Sequence, residues 1–67
     1  ISREFTLQDF LSAIGFVNMV AAIAEEEGHH PDILISYRKV RIELTTHKIN
    51  GLTEKDFSVA ARIDRLV

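Results

Sequence analysis

At 67 residues the chain has room for one small domain, and chains below about 70–80 residues seldom bury enough apolar surface to stand alone. It contains no cysteine, which rules out disulfide staples and cysteine zinc sites, fits a reducing cytoplasmic setting, and leaves self-association as the expected source of added stability. A formal net charge of −2 argues against the clustered basic face of a nucleic-acid binder, since Glu43 and Glu25-Glu26-Glu27 balance Arg38, Lys39 and Arg41, and no apolar run approaches the roughly 18 residues of a membrane span.

Residues 1–7 alternate, with Ile1, Arg3, Phe5 and Leu7 against Ser2, Glu4 and Thr6, which predicts a short strand. Thr6 is the expected N-cap of a first helix, with Asp9 at the capping-box position and Phe5 and Phe10 as a hydrophobic staple. The helix is predicted to reach about residue 27. Phe10, Ala13, Ile14, Val17, Val20, Ala21 and Ala24 recur at helical spacing and should face the sheet. Leu11, Phe16, Met19, Ala22 and Ile23 form a second stripe, which the same small core cannot also cover; a helix–helix contact between subunits is its expected use. Gly28 ends the helix at a position that accepts a left-handed backbone, and Pro31 prevents its resumption.

Ile33, Ile35 and Tyr37 then alternate with Leu34 and Ser36, a second strand in which Tyr37 is expected to face the core. Arg38 and Lys39 are the predicted turn. Val40, Ile42, Leu44 and Thr46 alternate with Arg41, Glu43, Thr45 and His47 as a third strand with one apolar face, and residues 48–51 form a loop. Thr53 should cap a last helix, with Asp56 three residues on and Leu52 and Phe57 as its staple. Its buried stripe is expected at Phe57, Ala60, Ile63 and Val67, beside Val59 and Leu66. The order β-α-β-β-α predicts one domain over residues 1–67: an α+β two-layer sandwich, an antiparallel sheet with two helices packed on one face. Its strand edges offer a second route to a homo-oligomer.

Few residues could carry chemistry. Ser36 and Ser58 sit in no nucleophile setting, and the three glycines are too scattered to cradle a phosphate. What remains is His29-His30-Pro31 directly after a helix, and His47 at a strand end. Such element ends line clefts, and histidine exchanges protons near neutral pH. Three readings stay open on the residues alone: surface or capping histidines without chemistry, a three-histidine metal site, and metal-free acid–base catalysis. The metal reading has no H-E-x-x-H-type support. Glu25, in the last helical turn, opposes the helix dipole; it is either part of a solvated acidic end with Glu26 and Glu27 or an orienting partner for a histidine.

Glu25, His29-His30-Pro31, Tyr37, His47 and Asp56, within the strings GHHPD and THKINGLTEKD, stand in the order and spacing of the pterin-4a-carbinolamine dehydratase signature. The chain resembles that family from Arg3-Glu4-Phe5 to Ile63-Asp64. The resemblance implies a hydro-lyase that dehydrates 4a-hydroxytetrahydropterin to the quinonoid dihydropterin, in tetrahydrobiopterin recycling, with no metal or organic cofactor. By position, His29 and His47 would be the proton-transfer pair and His30 would hold or orient the pterin. Glu25 would orient, and Pro31, Tyr37 and Asp56 would be structural. A homodimer or homotetramer is implied as well. The runner-up is a protein-binding module, a dimerisation cofactor or assembly factor, in which Leu11, Phe16, Met19 and Ile23 would matter more than the histidines.

Two departures from the family are visible. Its members carry an N-terminal helix and strand ahead of the matching segment, so the sheet here is expected to be one strand short. Ile33 stands where relatives often have an aromatic residue, which removes any stacking from that position.

Overall fold

The computed structural model describes residues 1–45 and 53–66. Three strands and two helices follow in the order β1 (Ser2–Thr6), α1 (Phe10–Glu27), β2 (Asp32–Ser36), β3 (Lys39–Glu43) and α2 (Glu54–Asp64). β3 lies in the middle of an antiparallel sheet of order β1-β3-β2, and both helices cover one face of it. The predicted α+β two-layer sandwich is the observed architecture.

Register explains the two faces. Phe5 and Ile35 flank Val40, and Arg3 and Ile33 flank Ile42, so the alternation of β3 points Val40 and Ile42 under the helices. The opposite face carries Lys39, Arg41 and Glu43, with an Arg41–Glu43 ion pair at 2.8 Å. Leu44 continues the buried row past β3, where its N–H donates to the Ile1 carbonyl at 2.8 Å.

The core joins Ala13, Phe16, Val20 and Ile23 of α1 to Val40, Ile42 and Leu44, and to Val59, Ala60 and Ile63 of α2. This changes the expected division of α1. Phe16, at 2% exposure, and Ile23 belong to the core rather than to an outer stripe, whereas Phe10 and Ala21 are exposed. The phase is set by tertiary contact: the Phe16 ring meets Phe5 of β1 at a centroid distance of 4.7 Å and an interplanar angle of 52°. Such a tilted pair adds about 0.5–1.5 kcal/mol beyond its buried area. Leu11, at 78%, and Met19, at 47%, do remain exposed, as does Ala22.

Three further local expectations are corrected. The N-cap of α1 is Asp9, not Thr6, which is the last residue of β1; Asp9 Oδ1 accepts from the Ser12 N–H at 2.7 Å. With the cap moved, Phe5 and Phe10 no longer flank it as a staple. The hairpin turn is Tyr37-Arg38, since Ser36 pairs with Lys39. Tyr37 is therefore at the turn, 68% exposed with φ 57°, rather than a core-facing strand residue. A left-handed Tyr is strained, by about 1–2 kcal/mol relative to an ordinary backbone. Phe57 is exposed, and Val59, Ala60 and Ile63 with Asp56 make the buried side of α2. Thr46, His47, the loop 48–51, Leu52 and Val67 lie outside the described residues.

The Asp9 cap carries a pH signature. Its carboxyl is pulled below the ordinary value of 3.8, chiefly by the backbone N–H of Ser12. A lowered folded-state value means that the cap's stabilisation is fully present above that ordinary value and disappears as pH falls through the lower folded one. Asp9→Ala should lower the melting temperature at neutral pH, and the gap to the parent should close on acidification into the carboxylate range. A gap independent of pH would show that the carboxylate is not the source.

Candidate active site

The site begins with a helix ending. Gly28 takes φ 62° and ψ 33°, a left-handed conformation that its missing Cβ allows without strain. The Gly28 N–H donates to the Glu25 carbonyl at 3.3 Å and the His29 N–H to the Ala24 carbonyl at 3.1 Å. That pair of bonds closes α1 and reverses the chain. Pro31 follows, and β2 starts at Asp32.

The reversal delivers His29 to the start of α2. Its Nε2–H donates to Asp56 Oδ1 at 2.5 Å. The Asp56 side chain is fully buried and that of His29 is 14% exposed. The second oxygen of Asp56, Oδ2, accepts from the Thr53 backbone N–H at 2.9 Å, the carboxylate half of the predicted capping box. One carboxylate thus caps α2 and holds a histidine across 27 positions of sequence. Because a carboxylate only accepts, the ring proton of neutral His29 resides on Nε2 and the lone pair on Nδ1.

His30 turns the other way. Its Nε2–H donates to Glu25 Oε2, between two side chains that are both largely exposed. An ion pair in that setting contributes little to stability, so its consequence is orientation. The structure therefore brings His29 to Asp56 and His30 to Glu25. Tyr37 makes no hydrogen bond to either pair, and His47 lies outside the described residues. Pro31 occupies the connection between α1 and β2. Among the described residues no group of three or more His, Asp and Glu side chains converges as a metal site would require.

Glu26 and Glu27 are also engaged. Arg62 of α2 donates through Nη1 to Glu27 Oε2 at 3.0 Å and through Nη2 to Glu26 Oε2 at 3.3 Å. The bond to Glu27, above all, raises the guanidinium further above its already high ordinary value. Nothing in the sequence pattern singled out Arg62.

Fold and site together define a class: a small α+β domain in which two histidines, each backed by a carboxylate, sit at the junction of its helices. The chain belongs to the pterin-4-alpha-carbinolamine dehydratase family, a family of hydro-lyases; the family model described as Pterin 4 alpha carbinolamine dehydratase matches residues 1–66. A relative from Chloroflexus aggregans, provisionally named a pterin-4-alpha-carbinolamine dehydratase, is 58% identical over the whole chain and 71% of its own length. Another of that provisional name, from Alkaliphilus metalliredigens, is 49% identical over 97% of this chain, which spans only 59% of it. Among solved structures, a transcriptional coactivator/pterin dehydratase from Brucella melitensis superposes with a TM-score of 0.90 at 38% identity. That match covers 96% of this chain and 68% of the Brucella chain.

Proposed function

We propose that the protein, acting as one domain over residues 1–67, dehydrates 4a-hydroxytetrahydropterin to the quinonoid dihydropterin and water. The observation that carries the reading is the His29–Asp56 pair: a nearly buried imidazole whose tautomer is set by a buried carboxylate. Family membership supplies the substrate class.

The reaction removes the proton from N5 of the pterin while the 4a-hydroxyl accepts a proton and leaves as water. One base and one acid balance it, and no electrons are exchanged. His29 and His47 form the proton-transfer pair. Asp56 keeps the His29 ring in one orientation and stabilises its protonated form when that form arises. His30, oriented by Glu25, holds the pterin. No metal or organic cofactor takes part in this scheme.

The protein works as a homodimer or homotetramer in tetrahydrobiopterin recycling. The small size of the domain, the exposed Leu11 and Met19, and strands β1 and β2, each paired on one side among the described residues, support self-association. A cytoplasmic location is part of this reading, with which the cysteine-free composition is compatible. No helix among the described residues is long and apolar enough to cross a membrane.

The test is the dehydration rate of freshly generated 4a-hydroxytetrahydropterin with and without the folded, oligomeric protein. Acceleration well above the spontaneous rate is expected, and its absence would overturn the enzyme reading. A second reading, a protein-binding module, is favoured by the coactivator name of the Brucella protein and by the exposed part of α1. Leu11→Glu with Met19→Glu tests it, because both side chains are exposed whereas a glutamate at Phe16 would bury a charge in the core. A binding module would lose its partner in that variant and keep it when the histidines become alanine.

A further inference from the structure

We propose that Arg62 is a positioning residue for the histidine centre: by tying the last turn of α1 to α2, it sets where the Gly28 cap releases His29 and His30. The proposal rests on the acid–base reading of those histidines.

Three consecutive glutamates end α1, where the dipole already concentrates negative charge and where neighbouring carboxylates repel one another. α1 has no basic residue of its own in that turn. Left uncompensated, such a turn frays. Fraying would reach the site directly, because the bonds that close the cap accept at Ala24 and Glu25, in the same turn.

Arg62 supplies the missing charge from the neighbouring helix. Its two terminal nitrogens engage two different carboxylates, Glu27 at 3.0 Å and Glu26 at 3.3 Å, which a single lysine ammonium cannot reproduce with the same fork. The third glutamate, Glu25, is taken by His30. The His29–Asp56 bond is then a second tie between the same two helices, six residues before Arg62 in α2. Two ties to one rigid helix fix both the position and the angle of the α1 terminus. One tie would leave His29 to swing about Asp56. Positioning of this kind matters because a displacement near 1 Å in an acid–base centre costs about 10²-fold in rate.

The experiment compares the full chain with Arg62→Gln, Arg62→Lys and the charge-exchanged pair Arg62→Glu with Glu27→Arg. Dehydration kinetics are read beside the ¹⁵N-detected tautomer signals of the His29 ring. Arg62→Gln should lower kcat by about 10-fold, with KM altered less than about twofold, since chemistry rather than binding is disturbed. The His29 ring should lose its single Nε2–H tautomer and show exchange. Arg62→Lys should recover only part of the loss, and the exchanged pair should recover more. A folded Arg62→Gln protein with parental kcat and parental His29 signals would overturn the proposal. Should Arg62→Gln fail to fold, Glu27→Gln carries the same expectation at smaller amplitude, and parental behaviour there would overturn it equally. If the parent shows no dehydratase activity, the ring spectra decide alone. An altered His29 spectrum would then sustain positioning while the catalytic reading falls, and an unaltered one would end both.

Discussion

Alanine at His29 should slow dehydration of 4a-hydroxytetrahydropterin by about 10²- to 10⁴-fold, the range that a positioned general acid or base supplies. The same size of loss is expected at His47, and a smaller one at His30, whose exposed pairing with Glu25 suits a holding role. These outcomes differ in kind as well as in size. His29→Ala and His47→Ala should reduce kcat, whereas His30→Ala should chiefly raise KM. Stability separates chemistry from collapse, because His29 is also one of the ties between α1 and α2. Circular dichroism and oligomeric state must match the parent before the rates are compared. Parental kcat in a folded His29→Ala protein would remove His29 from the reaction, whatever its geometry.

Replacing Asp56 should produce the largest change in stability. The carboxylate is completely buried and, among the described residues, accepts from Thr53 N–H and from His29 Nε2–H. Asp56→Ala deletes the carboxylate half of the capping box and leaves the His29 donor without its partner. Loss of the cap costs about 1 kcal/mol and the unsatisfied buried partner a further 1–3 kcal/mol, so about 3 kcal/mol in all is expected. A domain of this size holds only about 3–5 kcal/mol from its core, so about 0–2 kcal/mol would remain and the variant should stand at the edge of unfolding. Urea unfolding at a fixed protein concentration measures this, since the folded state is also an associated one in our reading.

Asp56→Asn is more informative about chemistry. An amide offers one accepting oxygen where the carboxylate offers two. If that oxygen stays on Thr53 N–H, the amide NH₂ faces His29 and moves the ring proton to Nδ1, reversing the tautomer. If it turns to His29, the tautomer survives and the cap is lost. The first outcome should cost about 10²-fold or more in rate with modest destabilisation, the second the reverse. A variant with both parental rate and parental stability would show that neither bond matters.

Much of this was readable from the residues. The alternation of Val40, Ile42 and Leu44 against Arg41 and Glu43 defines a strand with one buried side, because strand periodicity permits no other arrangement. Gly28 before His29-His30-Pro31 marks the end of α1 for equally local reasons. The resemblance around GHHPD and THKINGLTEKD pointed to the family, and the family match extends over residues 1–66.

The phase of α1 was not readable. Apolar residues occur around most of its circumference, so the choice of Phe16 and Ile23 over Phe10 and Ala21 for the core was made by Phe5 and α2. Tyr37 resisted for a related reason. Its aromatic side chain favours a strand, and only the pairing of Ser36 with Lys39 moves it into the turn.

The site divides in the same way. The sequence by itself determined its ingredients: the histidines, the glycine that frees them from the helix, and the capping carboxylate three residues into α2. These are consequences of neighbours within a few positions, where backbone geometry and side-chain type suffice. Only the tertiary structure decided that Asp56 serves His29, that Glu25 serves His30, and that Arg62 gathers Glu26 and Glu27. Such pairings depend on how two helices settle over a sheet, and that depends on core packing between residues far apart in the chain.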